Sequence, residues 1–215
     1  VVLAGLATLA LAVLAGAPML GPTHIPLQQI FHPGHGDIFW KLRVPRVLMS
    51  FLAGMGLAIS GMTFQAMFRN ALATPFTLGV SSGASLGAAL YVLSGASLTV
   101  MGVSGMFLAA FCGALASILL VYGISRTAHG LSGSAMLLAG VAVSFLFSSI
   151  ILFLQYVSDF TNTFRILRWV MGGLSVTGFG SVLDMLPFVV GGCAIVMLQR
   201  HELNLLATWE DIAAS

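Results

Sequence analysis

RVPRVLMSFLAGMGLAISGMTFQAMFRN, Arg43 to Asn70, is the stretch whose reading decides the fold class. Two arginines stand at the entrance of a run that carries no charge from Val47 to Phe68, and Arg69-Asn70 closes it. A helix crossing bilayer hydrocarbon needs ~20 predominantly apolar residues. A charge within that thickness is costly. The stretch therefore reads as one membrane crossing with its charges held at both ends. The whole chain follows the same pattern, with 59% apolar residues, 7% charged residues and a mean hydropathy of +1.06. Soluble domains carry about 25% charged residues, so an all-α, polytopic membrane helix bundle is expected.

Charge placement counts the other crossings. Val1 to Leu20 holds no charge, and Asn70 to Ser125 is uncharged over a length that suits two helices joined at Ser94-Gly95-Ala96-Ser97. A fifth crossing fits Ser134 to Val157 and a sixth roughly Leu183 to Leu198, with Asp184 and Pro187 near its start, where a first helical turn tolerates proline. Val1 to Ala17 also admits reading as the apolar core of a signal peptide. No basic region precedes it, which favours a spanning helix.

Parity places residues 21–46 and 158–182 on one face, and Asn70 to Pro75, Arg126 to Gly133 and the tail after Gln199 on the other. The first face holds Lys41, Arg43, Arg46, Arg165 and Arg168, the second Arg69, Arg126 and Arg200. A positive-inside count by itself favours the first as cytoplasmic.

Helices in lipid approach closely where residues are small. Gly79, Gly83 and Gly87 form successive GxxxG spacings, and Gly105, Ala109, Gly113 and Ser117 continue the rule in the next helix. Packing is the expected role of these positions. Cys112 and Cys193 fall one to a span and read as small apolar core residues.

Catalytic and cofactor signatures are missing from this sequence. Lys41 is the only lysine and no glycine-rich segment precedes it, so there is no GxxxxGK[ST] phosphate loop. His32 and His35 form an HxxH beside Asp37, but a metal centre generally needs three or four protein ligands, so a solvated loop is expected and no metal or cofactor. The span hydroxyls Ser81, Ser82, Ser144, Ser148 and Ser149 have no histidine placed to activate them. Gln65, an amide near the end of an apolar helix, is expected to bond the following turn or a neighbouring helix.

Several landmarks stand in a fixed order: Arg43-Val44-Pro45-Arg46; Ala58-Ile59-Ser60-Gly61 with Gln65; Phe68-Arg69-Asn70-Ala71-Leu72-Ala73-Thr74-Pro75; and Leu78-Gly79-Val80-Ser81-Ser82-Gly83-Ala84. Leu138 to Ala142, Trp169 to Leu174 and Leu203 to Ala207 follow. In this order the sequence resembles the FecCD/BtuC family of ABC permeases, importers of iron-siderophores and vitamin B12. Gly61, Gln65, Asn70, Pro75, Gly79 and Gly83 carry the motif. Ala71 stands where the family usually has proline, which alters turn stiffness. Trp209 stands near a usual glycine, which bears on how the tail docks.

The resemblance implies a BtuC-like permease fold with about six of ten transmembrane helices present. Residues 1–215 would be a single permease domain, the N-terminal part of a subunit, truncated or incomplete, ending in a cytoplasmic coupling segment, 203–215. It implies a second permease subunit, a cytoplasmic ATPase dimer that performs the hydrolysis, and a periplasmic or lipid-anchored binding protein, all in the bacterial cytoplasmic membrane. It also reverses the orientation, placing Arg43 and Arg46 outside. There the planar guanidinium would grip carboxylates on the binding protein; anchoring of the helix at the interface is the alternative.

At the other end, Leu203, Leu205, Leu206, Thr208, Trp209, Glu210 and Asp211 resemble a coupling helix, and Thr208-Trp209-Glu210-Asp211 fits a capping-box start. Ser144, Phe145, Ser148 and Ser149 lie in the helix that resembles the pathway-lining one. The function implied is import of an iron-siderophore by ATP-driven alternating access, with haem or cobalamin as other cargo and no nucleic-acid partner. A secondary transporter would need intramembrane acidic or histidine residues for ion coupling, which these spans lack. A membrane enzyme would need a convergent catalytic cluster.

Overall fold

Glycines in the left-handed region and a few polar caps decide where the helices begin and end. The computed structural model describes residues 2–21, 35–100, 102–127, 133–174 and 178–213, with the backbone alone at 35, 127 and 207–213. Two units are distinguished: residues 1–59 with 174–198, and residues 60–173 with 199–215.

In the first unit, α1 (Val2–Gly16) ends in a 3-10 turn, Ala17–Met19. A helical turn, His35–Ile38, and a π-helical segment, Phe39–Arg43, lead into α2 (Val44–Phe68), whose first part belongs to this unit. The helical run thus begins well before the expected Val47. Pro45 stands inside this continuous helical run, directly after the π-helical segment in which Val44 N–H bonds to Phe39 O, so its missing N–H interrupts the ladder at that point. α7 (Gly180–Leu198) packs on α2 through Leu52 and Val182, both buried, with Leu48, Met49, Met55 and Val189 around them. Because α7 starts at Gly180, Pro187 lies in its interior, not in the first turn as expected. Proline there leaves the carbonyl four residues back without its helical donor.

In the second unit, a 3-10 turn, Pro75–Leu78, precedes α3 (Val80–Ser94), α4 (Gly105–Thr127), α5 (Gly133–Val157), α6 (Phe160–Met171) and α8 (Arg200–Ala213). The expected turn after Ser94 is present, with Gly95 at φ 66°. It opens into a short antiparallel hairpin, β1 (Thr99–Val100) and β2 (Val103–Ser104), paired Thr99 to Ser104 and Val100 to Val103.

Among the described residues, five stretches are long and apolar enough to cross a membrane: Val2–Met19, Gly36–Phe68, Gly105–Arg126, Gly133–Val157 and Gly180–Leu198. The remaining expected crossing, α3, is shorter, at 15 residues. Left-handed glycines at both ends, Gly79 and Gly95, cut it to about 22 Å at ~1.5 Å per residue. The hydrocarbon core is ~30 Å thick.

The GxxxG stripe determines how α3 meets α4. A Cβ on Gly87 would overlap the carbonyl oxygen of Ala109, and one on Gly83 would lie 2.7 Å from Ser117 Cβ. Gly113 likewise faces the Gly83 backbone. The two backbones are in direct contact, which only glycine permits. Cys112 lies on an exposed face of α4 and not in the core, as is open to a small apolar residue where lipid or another helix can cover it.

The sequence reading contains no counterpart of α6. Asp159 caps it, Oδ2 accepting from the N–H groups of Thr161 and Asn162 at 3.2 and 3.3 Å, and Gly172 ends it at φ 71°. Its Ile166 is 1% exposed and packs with Ala89, Val92 and Ile151 of α3 and α5. The opposite face leaves Arg165 and Arg168 exposed. An amphipathic helix of this kind sits at a membrane surface, not across it.

Candidate coupling, docking and pathway surfaces

The segment between α2 and α3 is built from successive caps. Asn70 N–H donates to Gln65 O at 3.2 Å and Arg69 N–H to Ala66 O at 3.4 Å, the bond pair of a Schellman motif. Arg69 occupies the position usually given to glycine, at φ 47°. A non-glycine residue in that region costs ~1 kcal/mol or more. Asn70 Oδ1 then accepts from Leu72 N–H at 2.9 Å, and Thr74 with Thr77 forms a capping box around Pro75. Gln65 meets this turn through its backbone carbonyl, while its side chain is exposed.

The turn delivers Gly79, at φ 73°, into a crowded junction. Ser117, fully buried, donates its hydroxyl to Gly79 O at 2.9 Å and Leu78 O at 3.3 Å. Gly140 of α5 lies so close that a Cβ there would stand 2.7 Å from Leu78 Cα. Gly79 and Gly83 thus have packing reasons for their identity, and Pro75 a conformational one at the start of the 3-10 turn. At Gly61, by contrast, nothing among the described residues comes within 4 Å of a built Cβ.

On α5, Ser144 donates back to Gly140 O at 2.8 Å and faces the Gly79 junction. Phe145, Ser148 and Ser149 are exposed, Phe145 at 71%, Ser148 lying one turn beyond Ser144 on nearly the same face. Ser149 also bonds back, to Phe145 O at 2.9 Å. The four expected pathway residues therefore divide into one committed to helix packing and three that are accessible.

The two arginines before α2 also differ. Arg43 is half-buried, its Nη1 reaching the carbonyls of Pro18 and Met19 at 3.4 and 3.5 Å where the α1 segment ends. A cation suits the carbonyl end of a helix. Arg46 is exposed, and nearby Lys41 pairs with Asp37 at 2.9 Å on the surface. His32 lies outside the described residues.

The tail is one helix. α8 starts at Arg200, so Thr208 is within it and the expected helix start at Thr208-Trp209-Glu210-Asp211 is wrong. The run Glu202 to Ala207 is rich in strong helix formers, which carry the helix through without a break. Leu203 is half-buried; Leu205 and Leu206 are 45% and 40% exposed. Thr208, Trp209, Glu210 and Asp211 are described by their backbone alone. Sequence reasoning missed a long-range contact of this helix: Arg69 Nε donates to Leu206 O at 2.7 Å. From sequence, Arg69 was only a charge at the end of a span.

Comparison with known proteins places this geometry. The FecCD transport family matches residues 6–215. The chain is 34% identical to an uncharacterised ABC transporter permease protein, YvrB, of Bacillus subtilis, over 97% of this chain and 63% of that protein. It is 31% identical to the hemin transport system permease protein HmuU of Yersinia pestis, over 97% of this chain and 64% of the relative. A solved structure of a transporter assigned to the metal-chelate ABC type, in an inward-facing conformation, superposes with a TM-score of 0.80 at 28% identity. It covers 99% of this chain and 66% of that one. The chain spans somewhat less than two thirds of the length of these relatives.

Proposed function

Because the chain belongs to the FecCD transport family, we propose that it is membrane-spanning machinery of a binding-protein-dependent ABC importer in the bacterial cytoplasmic membrane. The observation that carries this reading is the family match across nearly every span, residues 6–215. Hydrolysis belongs to a separate ATPase, as membership of this permease family implies. The permease pairs with a second permease subunit, and the pair alternates between outward-open and inward-open states as the ATPase cycles.

The cargo is an iron-siderophore, a metal chelate of the class named for the structural neighbour. Haem is the second reading, favoured by the likeness to a hemin permease. Phe145, Ser148 and Ser149 line the route on the accessible side of α5. α8 is the coupling helix, with Leu205 and Leu206 entering an apolar groove of the ATPase and the segment Thr208 to Asp211 completing the contact. Outside, Arg46 is the docking cation for a carboxylate of the binding protein, and Arg43 supports it by fixing the end of the α1 segment beside it.

Reversal of the exposed charge separates docking from anchoring. Arg46→Glu is expected to weaken binding-protein docking roughly tenfold at low ionic strength and less at high salt, as a charge at an interface rim would. Arg43→Glu should also lower thermal stability, because Arg43 is tied to the carbonyls of Pro18 and Met19. Surface plasmon resonance on the permease in nanodiscs reads the docking, and a thermal melt of the same samples reads the stability. Unchanged docking in Arg46→Glu would return that residue to an anchoring role. The importer reading itself is tested by gentle purification from membranes: an ATPase should copurify, and its consistent absence would count against the assignment.

A further inference from the structure

We infer that Arg69 is a positioning residue that locks α8 to the end of α2, so that a movement of the tail helix is handed to the membrane bundle. The inference rests on the reading of α8 as the coupling helix. Two independent observations meet at this residue. Its backbone occupies the left-handed C′ position of a Schellman motif, where glycine would be preferred, at φ 47°. Its side chain reaches a carbonyl 137 residues away in sequence, Leu206 O, at 2.7 Å. Local conformation selects against arginine here, so the long-range bond is what this side chain adds. A residue held in an unfavoured backbone region by its surroundings is a pointer to function.

The bond also has a defined continuation. Arg69 is followed at once by the Asn70 turn, the Thr74 capping box and the 3-10 turn that ends at Gly79. Gly79 O accepts from Ser117 of α4, and Leu78 packs against Gly140 of α5. The links are hydrogen bonds from Arg69 to Ser117, and close backbone packing from Leu78 to Gly140. Displacement of α8 at Leu206 would thus reach the α3, α4 and α5 packing without crossing a slack loop, and the guanidinium closes the first gap.

Arg69→Gly separates this role from folding, since glycine relieves the left-handed backbone while deleting the side chain. In the complete transporter, reconstituted with its ATPase and binding protein, Arg69→Gly should assemble and melt as the unmodified protein does. Its ratio of cargo imported to ATP hydrolysed should fall roughly tenfold, within the usual range of coupling between sites. Arg69→Lys should recover part of the ratio, because an ammonium can donate to the same carbonyl. A ratio within about twofold of the unmodified transporter in Arg69→Gly would overturn the inference. A photocrosslinker at Leu205 keeps the two readings apart. Capture of the ATPase with a normal ratio removes only the role of Arg69, whereas no capture in the otherwise unmodified transporter removes the coupling-helix reading and this inference with it.

Discussion

Leucine in place of Gly87 is expected to prevent α3 and α4 from closing on each other and to leave almost no folded protein in the membrane. A Cβ at Gly87 would stand 2.9 Å from the Ala109 carbonyl carbon and 3.3 Å from Ala110 Cα, closer still to the Ala109 oxygen. These are backbone atoms of a helix and cannot rotate away. Overpacking against side chains costs ~1–3 kcal/mol, and a clash with backbone belongs at or beyond the upper end. The same substitution at Gly123 of α4, where nothing described lies within 4 Å of a Cβ, should be tolerated. Size-exclusion profiles of the two variants in mild detergent measure the difference. A monodisperse Gly87→Leu protein would mean that α3 and α4 are not in backbone contact.

The second large effect is expected at the tail. Leu205→Glu with Leu206→Glu places two charges on side chains that are exposed on α8, so the bundle should fold as before. Burying a leucine contributes ~1.5–3 kcal/mol. Losing two such contacts corresponds to an affinity drop of roughly a hundredfold or more. The ATPase should therefore no longer copurify, and uptake should cease. Retained association would show that the ATPase does not engage these leucines.

These two predictions differ in how far the sequence alone could reach. The α3 and α4 stripe was readable because a small residue every fourth position has one common physical use in lipid, and Gly83, Gly87 and Gly113 serve it. Helix α6 was not read, although Asp159 and Gly172 mark both of its ends, because a short amphipathic helix was overshadowed by the long apolar spans around it. The start of α8 was misread for a related reason. Thr208-Trp209-Glu210-Asp211 has the residue types of a cap, but that pattern has no force when a continuous run of helix formers precedes it.

The arginines show the limit most sharply. Arg43, Arg46 and Arg69 look alike from sequence, each a cation at the end of a span. In the structure Arg43 turns to the carbonyls that follow α1, Arg46 stays exposed, and Arg69 reaches Leu206. Which acceptor a long side chain finds depends on contacts distant in sequence, and periodicity carries no information about those. Ser144 is similar. It shares a helix with Ser149, and each hydroxyl bonds back to its own helix, yet Ser144 is half-buried against the Gly79 junction while Ser149 is exposed.

The proposed import requires ATP, a partner ATPase and a binding protein. Its most direct test is uptake of a radiolabelled ferric siderophore into proteoliposomes containing the permease and ATPase, with binding protein added outside and ATP inside. The expected result is accumulation that requires both ATP and the binding protein and stops with a non-hydrolysable analogue. Haem or cobalamin, presented with its own binding protein in the same vesicles, distinguishes the cargo. Uptake that proceeds without ATP and follows an imposed proton or sodium gradient would contradict the account.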